Sequence, residues 1–147
     1  MRILVLSDSH NRISLLETII AAQPSAAALV FLGDGLRDLE AVPVPCPVFS
    51  VRGNGDLGSP APLTREDVFA DKRLFCTHGH AFEVKFSDDK LLAAAKHCDI
   101  ALYGHTHRQV LRWAEGLMLF NPGAAALGDY GVLDFTPAGV AAVHMHV

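Results

Sequence analysis

Cysteine is scarce in this chain. There are three, Cys46, Cys76 and Cys98, with no C-x-x-C pair among them. An odd, widely spaced set excludes a disulfide scaffold and fits a reducing compartment. Long apolar runs are missing too. The longest, "AAALVFLG", falls well short of the roughly 20 residues that a membrane-spanning helix needs. The "ILVL" before "SDSH" is too short for the core of a signal peptide. A cytoplasmic protein with no membrane attachment is therefore expected. Basic charge is also low: 12 Lys and Arg stand against 16 Asp and Glu, for a net charge of -4. That disfavours general nucleic-acid binding, which draws its nonspecific affinity from Lys and Arg on phosphates. A small phosphate-ester substrate stays open, because it depends on local charge.

What is present is a core. Half the residues are hydrophobic, which excludes disorder, and 147 residues are expected to form one domain, 1–147. The alanine-rich composition leaves room for a homo-oligomer. "RILVLSD", "AAALVFLGD" and "PVFSVRGN" are continuous aliphatic runs, as in strands of a parallel sheet buried on both faces. Between the first two, "RISLLETIIAAQ" has helical spacing, with Ile13, Leu16, Ile19 and Ile20 on one side and Pro24 as its stop. A short helical turn is expected around 36–40. "DVFADKRLFCTHG" reads as a hairpin turning at Asp71–Lys72, "SDDKLLAAAKHC" as a helix with Ser87 as N-cap, and "DIALYGH" as another buried strand. "QVLRW", "LMLFNPG", "GVLDF" and "GVAAVHMHV" read as a run of antiparallel strands. The fold class is α/β, with two sheets packed face to face and helices outside.

Five apolar strands end in the same kind of residue. They deliver Asp8 and His10, Asp34, Asn54, His78 with His80, and His105 with His107. In open α/β sheets ligands bind outside the carboxyl ends of strands, so a metal site is expected there. Carboxylate, carboxamide and imidazole without cysteine suit manganese first, with nickel, iron, zinc or cobalt as alternatives. Asp8, His10, Asp34, Asn54, His78, His105 and His107 are too many ligands for one ion and suit two. Asp34, with two oxygens, is the natural bridge. Two divalent ions, less Asp8, Asp34 and a bridging hydroxide, leave about +1, a pocket that attracts phosphate. Blander roles exist: Asp8 and Asp34 as helix caps, Asn54 as a turn residue, "HTH" as a polar turn. Their common placement at strand ends weighs against those roles.

The blocks "DSH", "GD", "GNGD", "THGH" and "GHTH", in that order, resemble the calcineurin-like metallophosphoesterases. The length resembles their small single-domain bacterial and archaeal phosphodiesterase branch, and "NPGA" at 121–124 is similar to that branch's N-P-G-S. The resemblance implies a four-layer αββα sandwich of two mixed sheets flanked by helices. It implies Asp8, His10 and His107 on one metal, Asn54, His78 and His105 on the other, and Asp34 bridging. The implied activity is hydrolysis of a P–O bond by metal-bound hydroxide. Among the residues themselves, Asp34, Asn54 and His80 are the ones expected in catalysis.

The chain departs from the family in two places. Members with strong phosphomonoesterase chemistry carry a histidine after the asparagine, where this chain has Gly55, and the serine of N-P-G-S is Ala124. General acid catalysis contributes about 10²–10⁴-fold, so poor leaving groups suffer most and a diester is favoured. His80 is the side chain that could substitute through space. The alternatives are a phosphomonoesterase, a dinucleoside polyphosphate hydrolase, or a catalytically silent scaffold like the retromer subunit that shares this fold. Outside the set, Asp56 is expected to tie down its loop, and Arg12 and Arg52 to be solvated. His97 is expected to complement a helix end, His144 and His146 to lie on a solvated face, and Trp113 and the phenylalanines to be core.

Overall fold

The runs "ILVL" and "ALVF" are continuous because both faces of their strands are covered. By contrast, "VFS" in the third expected run is an edge strand, with Val48 exposed and Phe49 and Ser50 half-buried. The structure is a computed structural model describing residues Met1–Val147. Its strands are β1 (Arg2–Leu6), β2 (Ala28–Phe31), β3 (Val48–Ser50), β4 (Thr64–Phe69), β5 (Lys72–Thr77), β6 (Ile100–Leu102), β7 (Gln109–Ala114), β8 (Leu117–Pro122), β9 (Asp129–Thr136) and β10 (Gly139–His146). The helices are α1 (Ile13–Ala21), α2 (Leu36–Glu40) and α3 (Asp89–Ala95). Two five-stranded mixed sheets form, in the orders β10-β9-β1-β2-β3 and β4-β5-β6-β8-β7. No helix is long and apolar enough to cross a membrane.

Alternate side chains along each strand feed different layers. From β1, Ile3 and Val5 face the other sheet while Leu4 and Leu6 face α1 and α2. β2 repeats this, with Ala28 and Val30 inside and Leu29 and Phe31 outside. β6 does so in the second sheet: Ile100 and Leu102 meet the inter-sheet core, and Ala101 packs with Leu91 and Ala95 of α3. Three apolar cores thus separate four layers, an αββα sandwich. The parallel neighbours β1, β2 and β3 end at one edge, as do β5, β6 and β8 in the other sheet.

Several local expectations shift. The hairpin turns at Ala70–Asp71, one residue earlier than expected, because Phe69 pairs with Lys72 and the two-residue loop puts both central residues at positive φ (48° and 67°). Ser87 is not the N-cap of α3. Asp88 holds that position, and the Ser87 Oγ accepts only from the Asp89 amide, at 3.1 Å. Ile13 is exposed, leaving Leu16, Ile19 and Ile20 as the buried side of α1. The last four strands are not one antiparallel run: β8 pairs antiparallel with β7 but parallel with β6, and β9–β10 belong to the other sheet. Trp113 is 63% exposed because β7 is an edge strand, and Phe86 is 89% exposed in a loop, so neither is core. His144 is half-buried, stacked on Phe120 at 4.6 Å between centroids, and it donates to the Asn121 carbonyl at 2.9 Å. His97 lies beyond the end of α3 and pairs with Glu66 at 2.8 Å.

Candidate metal centre

Every strand-end residue singled out in the sequence falls on the shared edge of the two sheets. The backbone reverses sharply to bring the side chains together. Asp8, His10, Asp34, His105 and His107 all have positive φ, between 42° and 68°. Left-handed backbone costs a non-glycine residue about 1–3 kcal/mol and clusters at functional sites. Glycine is needed beside them: a Cβ on Gly53 would strike the Asp34 carboxylate and lie 2.7 Å from the Asp34 amide nitrogen, and one on Gly104 would strike the Ser7 hydroxyl.

Asp8 is fully buried. Its Oδ2 accepts from the Ser7 hydroxyl and from the His105 amide at 3.1 Å. Its Oδ1 has no hydrogen-bond partner. Around that oxygen stand Nε2 of His107 at 3.2 Å, of His10 at 3.3 Å and of His78 at 3.8 Å. Asp8, His10 and His107 have ligand atoms within 4.8 Å of one another, and Asp34, His78 and His105 form a second such group. The two groups meet at His78, whose Nε2 lies 3.3 Å from Asp34 Oδ2 in its own group and 3.8 Å from Asp8 Oδ1 in the other. Its Nδ1 donates to the buried Leu32 carbonyl at 2.7 Å. That bond fixes the tautomer and leaves the Nε2 lone pair aimed into the site.

This donor set fits metal. Two imidazoles sharing an ion at about 2.1 Å each have nitrogens about 3.0–3.4 Å apart. The His10 and His107 Nε2 atoms are 3.1 Å apart, and His105 Nδ1 is 3.2 Å from His78 Nε2. Neutral imidazoles that close present lone pairs to each other unless a proton or a cation lies between. An orphaned buried carboxylate oxygen among such nitrogens asks for the same cation.

Asn54 makes no hydrogen bond through its side chain and is exposed. Its neighbours Gly53 and Gly55 both abut Asp34, and the Gly55 amide donates to Asp34 Oδ1 at 2.7 Å. Asp56 ties this loop down, as expected. Its Oδ2 accepts from the amides of Asp34 and Gly53, both at 2.7 Å, and its Oδ1 from Gly35 at 3.0 Å and Leu36 at 3.1 Å. His80 joins neither group. Its ring lies 5.5 Å from that of His78 and 6.2 Å from that of His105, with a buried and unpartnered Nδ1.

Burial opposes charge on Asp34, but His78, the Gly55 amide and His10 outweigh it and hold the carboxyl at about 2. Burial likewise opposes protonating His78, and Asp34 and Asp8 overcome it, raising that imidazole above its ordinary value. Burial, then His78 and Lys85, hold His105 below the usual range. Burial first and His78 second do the same to His80.

Sequence reasoning missed Asn121. It is fully buried at the end of β8, where its Nδ2 donates to the Gly104 carbonyl at 3.0 Å and to Thr106 Oγ1 at 3.1 Å. It thereby holds the "GHTH" loop. The strand-end rule would have found it had β8 been read as parallel to β6. A third group, Glu66, His97 and Cys98, also has metal-ligand spacing. It is already satisfied as an ion-pair cluster, with burial and Glu66 pushing the Cys98 thiol up to about 12, far from a thiolate.

A model of the calcineurin-like phosphoesterase superfamily domain matches residues 1–138. The chain belongs to that superfamily. Phosphodiesterase YfcE of Escherichia coli strain K12 is 31% identical to it, across 91% of this chain and 88% of that protein. A solved archaeal phosphodiesterase superposes with a TM-score of 0.77 at 19% identity, covering 99% of this chain and 100% of that one. Zn²⁺-complexed Vps29 of Entamoeba histolytica superposes at 0.72 with 16% identity, covering 99% of each chain. These two likenesses are of fold, and they include an enzyme and a protein named for vacuolar sorting.

Proposed function

We propose that this calcineurin-like phosphoesterase is a metal-dependent phosphodiesterase with a dinuclear centre, working on a small phosphate ester in the cytoplasm. Asp8, His10 and His107 would hold one ion, Asn54, His78 and His105 the other, and Asp34 would bridge. Manganese is the first choice of metal. The observation that carries this reading is the buried, unpartnered Asp8 Oδ1 facing three imidazole nitrogens. Such a pair of ions, when bound, supplies Lewis acidity and an activated water for in-line attack at phosphorus.

The chain's own residues set the conditions for that chemistry. Leu32 fixes the His78 tautomer, Ser7 and the His105 amide fix the Asp8 rotamer, and Asp56 fixes the backbone on either side of Asp34 and Asn54. Gly55 brings no proton donor to the leaving group. His80, held below the ordinary imidazole value by burial, is mostly neutral at pH 7 and enters as a hydrogen-bonding partner. Good leaving groups, as in activated diesters, are therefore the expected substrates.

The test is hydrolysis of bis-p-nitrophenyl phosphate beside p-nitrophenyl phosphate. Metal-stripped protein would be reconstituted with Mn²⁺, Ni²⁺, Zn²⁺ or Mg²⁺. Diester turnover restored by a transition metal and abolished by Asp8→Asn supports the proposal. Turnover that persists in Asp8→Asn or His105→Ala refutes the mechanism, monoester preference points to a phosphatase, and bound metal without turnover points to the scaffold role.

A further inference from the structure

Two clefts flank the candidate centre, and their charges are opposite. One, of about 590 Å³, runs past His10, Asp34 and Gly55 and is walled by Asp38, Glu40 and Asp56, with Arg37 its single cation. The other, of about 560 Å³, lies beyond Thr106 and is lined by Lys85, Arg108, Arg112, Asp88 and Tyr103. Thr106, between His105 and His107 in sequence, lines this second cleft and joins it to the loop that carries both histidines.

The charges in the second cleft do not cancel. Asp88 is its only carboxylate, and both Nε and Nη2 of Arg112 engage it, Nε at 3.0 Å. Lys85 and Arg108 have no carboxylate within ion-pair distance and are exposed to the cleft. Two hydroxyls line the same wall. Thr106 Oγ1 accepts from the Arg108 amide at 3.3 Å and from Asn121 at 3.1 Å, which leaves its own O–H free to donate outward. The Tyr103 hydroxyl makes no hydrogen bond within the protein, although its residue is 3% exposed. Two unpaired cations and two free hydroxyl donors around one opening form a site for an oxyanion.

We infer that the Lys85–Arg108 cleft binds a second phosphate of the substrate, so that the preferred ligands are small phosphodiesters carrying a terminal phosphate on one arm. The inference rests on the phosphodiesterase reading for its position beside the reacting phosphorus. The opposite cleft, rich in carboxylates, repels such a group, so charge alone sets which way the substrate lies. A simple diester with two uncharged arms leaves both cations solvated and forgoes their attraction.

The dinucleotide TpT, with no terminal phosphate, is compared with pTpT and TpTp, which carry one at either end. Binding to the full chain is measured by isothermal titration calorimetry at low salt without added metal, and hydrolysis of the same three is measured with Mn²⁺. One phosphorylated form should bind roughly fivefold to thirtyfold more tightly than TpT, as two unpaired cations would give. The preference should shrink as salt rises through a few tenths molar, since these charges are exposed. Lys85→Gln and Arg108→Gln should each remove part of it, and the double variant nearly all. Equal binding of all three, or a preference that survives the double variant, overturns the inference. A preference with no hydrolysis of these dinucleotides or of the activated diester bis-p-nitrophenyl phosphate under any metal leaves this cleft assigned and refutes the phosphodiesterase reading instead. Hydrolysis of all three at equal efficiency with equal binding does the reverse.

Discussion

Replacing Asp56 with asparagine changes almost no volume and removes one oxygen. Its consequence follows from four hydrogen bonds. Oδ2 accepts from the amides of Asp34 and Gly53, and Oδ1 from those of Gly35 and Leu36. A carboxylate satisfies all four donors because both of its oxygens accept. Asparagine keeps one acceptor. Whichever way its amide turns, its NH₂ faces two backbone N–H groups. Each unpaired donor costs about 1–3 kcal/mol when buried, and bonds to a charged acceptor are at the strong end of the scale. Asp56 is partly exposed, so water recovers some of this and the lower half of the range applies. A loss of about 2–4 kcal/mol follows for Asp56→Asn, and for a chain of this length each kcal/mol lowers the melting temperature by about 2–4 °C. Differential scanning calorimetry should record a drop of roughly 5–15 °C. The same change loosens the turn carrying Asp34 and Asn54, so bound metal measured by elemental analysis should fall as well. An Asp56→Asn protein melting within about 2 °C of the parent, with metal content intact, would show that the four bonds do not hold the loop.

Four other outcomes follow from the same geometry. Gly53→Ala sets a Cβ against the Asp34 carboxylate and 2.7 Å from its backbone nitrogen, which cannot rotate away; overpacking of about 1–3 kcal/mol and loss of metal are expected, checked by thermal melts and metal analysis. The Asp34–His78 pair sets a pH dependence on the metal-free protein. Asp34 is lowered to about 2, so its contribution is present above its unfolded value and lost as pH falls towards 2, whereas raised His78 contributes fully below its unfolded value and loses that as pH climbs through the folded one. Metal-free melting temperature should therefore be highest between about pH 4 and 6.5, while metal-loaded protein, which needs neutral imidazoles, should gain stability above that window; parallel curves would contradict this. Metal stripping at pH 8 should lower the melting temperature reversibly, with readdition of Mn²⁺ restoring it. Asn121→Ala should free the "GHTH" loop by leaving the Gly104 carbonyl and Thr106 Oγ1 without their donor, costing about 1–3 kcal/mol and reducing metal affinity by titration.

Much of this molecule was legible in its chain because burial on both faces writes itself as unbroken apolar runs. β1, β2 and β6 each feed two cores, and no polar residue interrupts them. Strand ends were legible for the same reason: the first polar residue after such a run marks where the core stops. What failed was context. "LMLFNPG" carries no mark of whether its neighbours run parallel or antiparallel, so β8 was misassigned and Asn121 overlooked. Trp113 looks like core by composition, yet it sits on the edge strand β7, and edge position is set by strand order, which the local sequence does not contain. His144 alternates on β10 as a solvated residue would, and only the packing of the two sheets puts it on Phe120. The Lys85–Arg108 cleft was invisible because its residues come from two separate segments, 84–88 and 103–112, which only the fold brings together.

The backbone itself links fold to metal. A residue just past a parallel strand ordinarily continues outward from the sheet, carrying its side chain away from neighbouring strand ends. Left-handed φ at Asp8, His10, Asp34, His105 and His107 reverses the chain and aims five side chains across the edge at one another. At about 1–3 kcal/mol for each residue, that arrangement holds free energy comparable to the whole stability of a small domain. The protein offsets part of it with devices of its own: the four Asp56 bonds, the Leu32 carbonyl on His78, and glycines where a Cβ would not fit. None of these satisfies Asp8 Oδ1 or separates the facing imidazole nitrogens of His10 and His107. A cation would do both, and because it would bind only the assembled edge, its binding free energy would also count as folding free energy. On this account the strain is tolerated because it assembles the ligands.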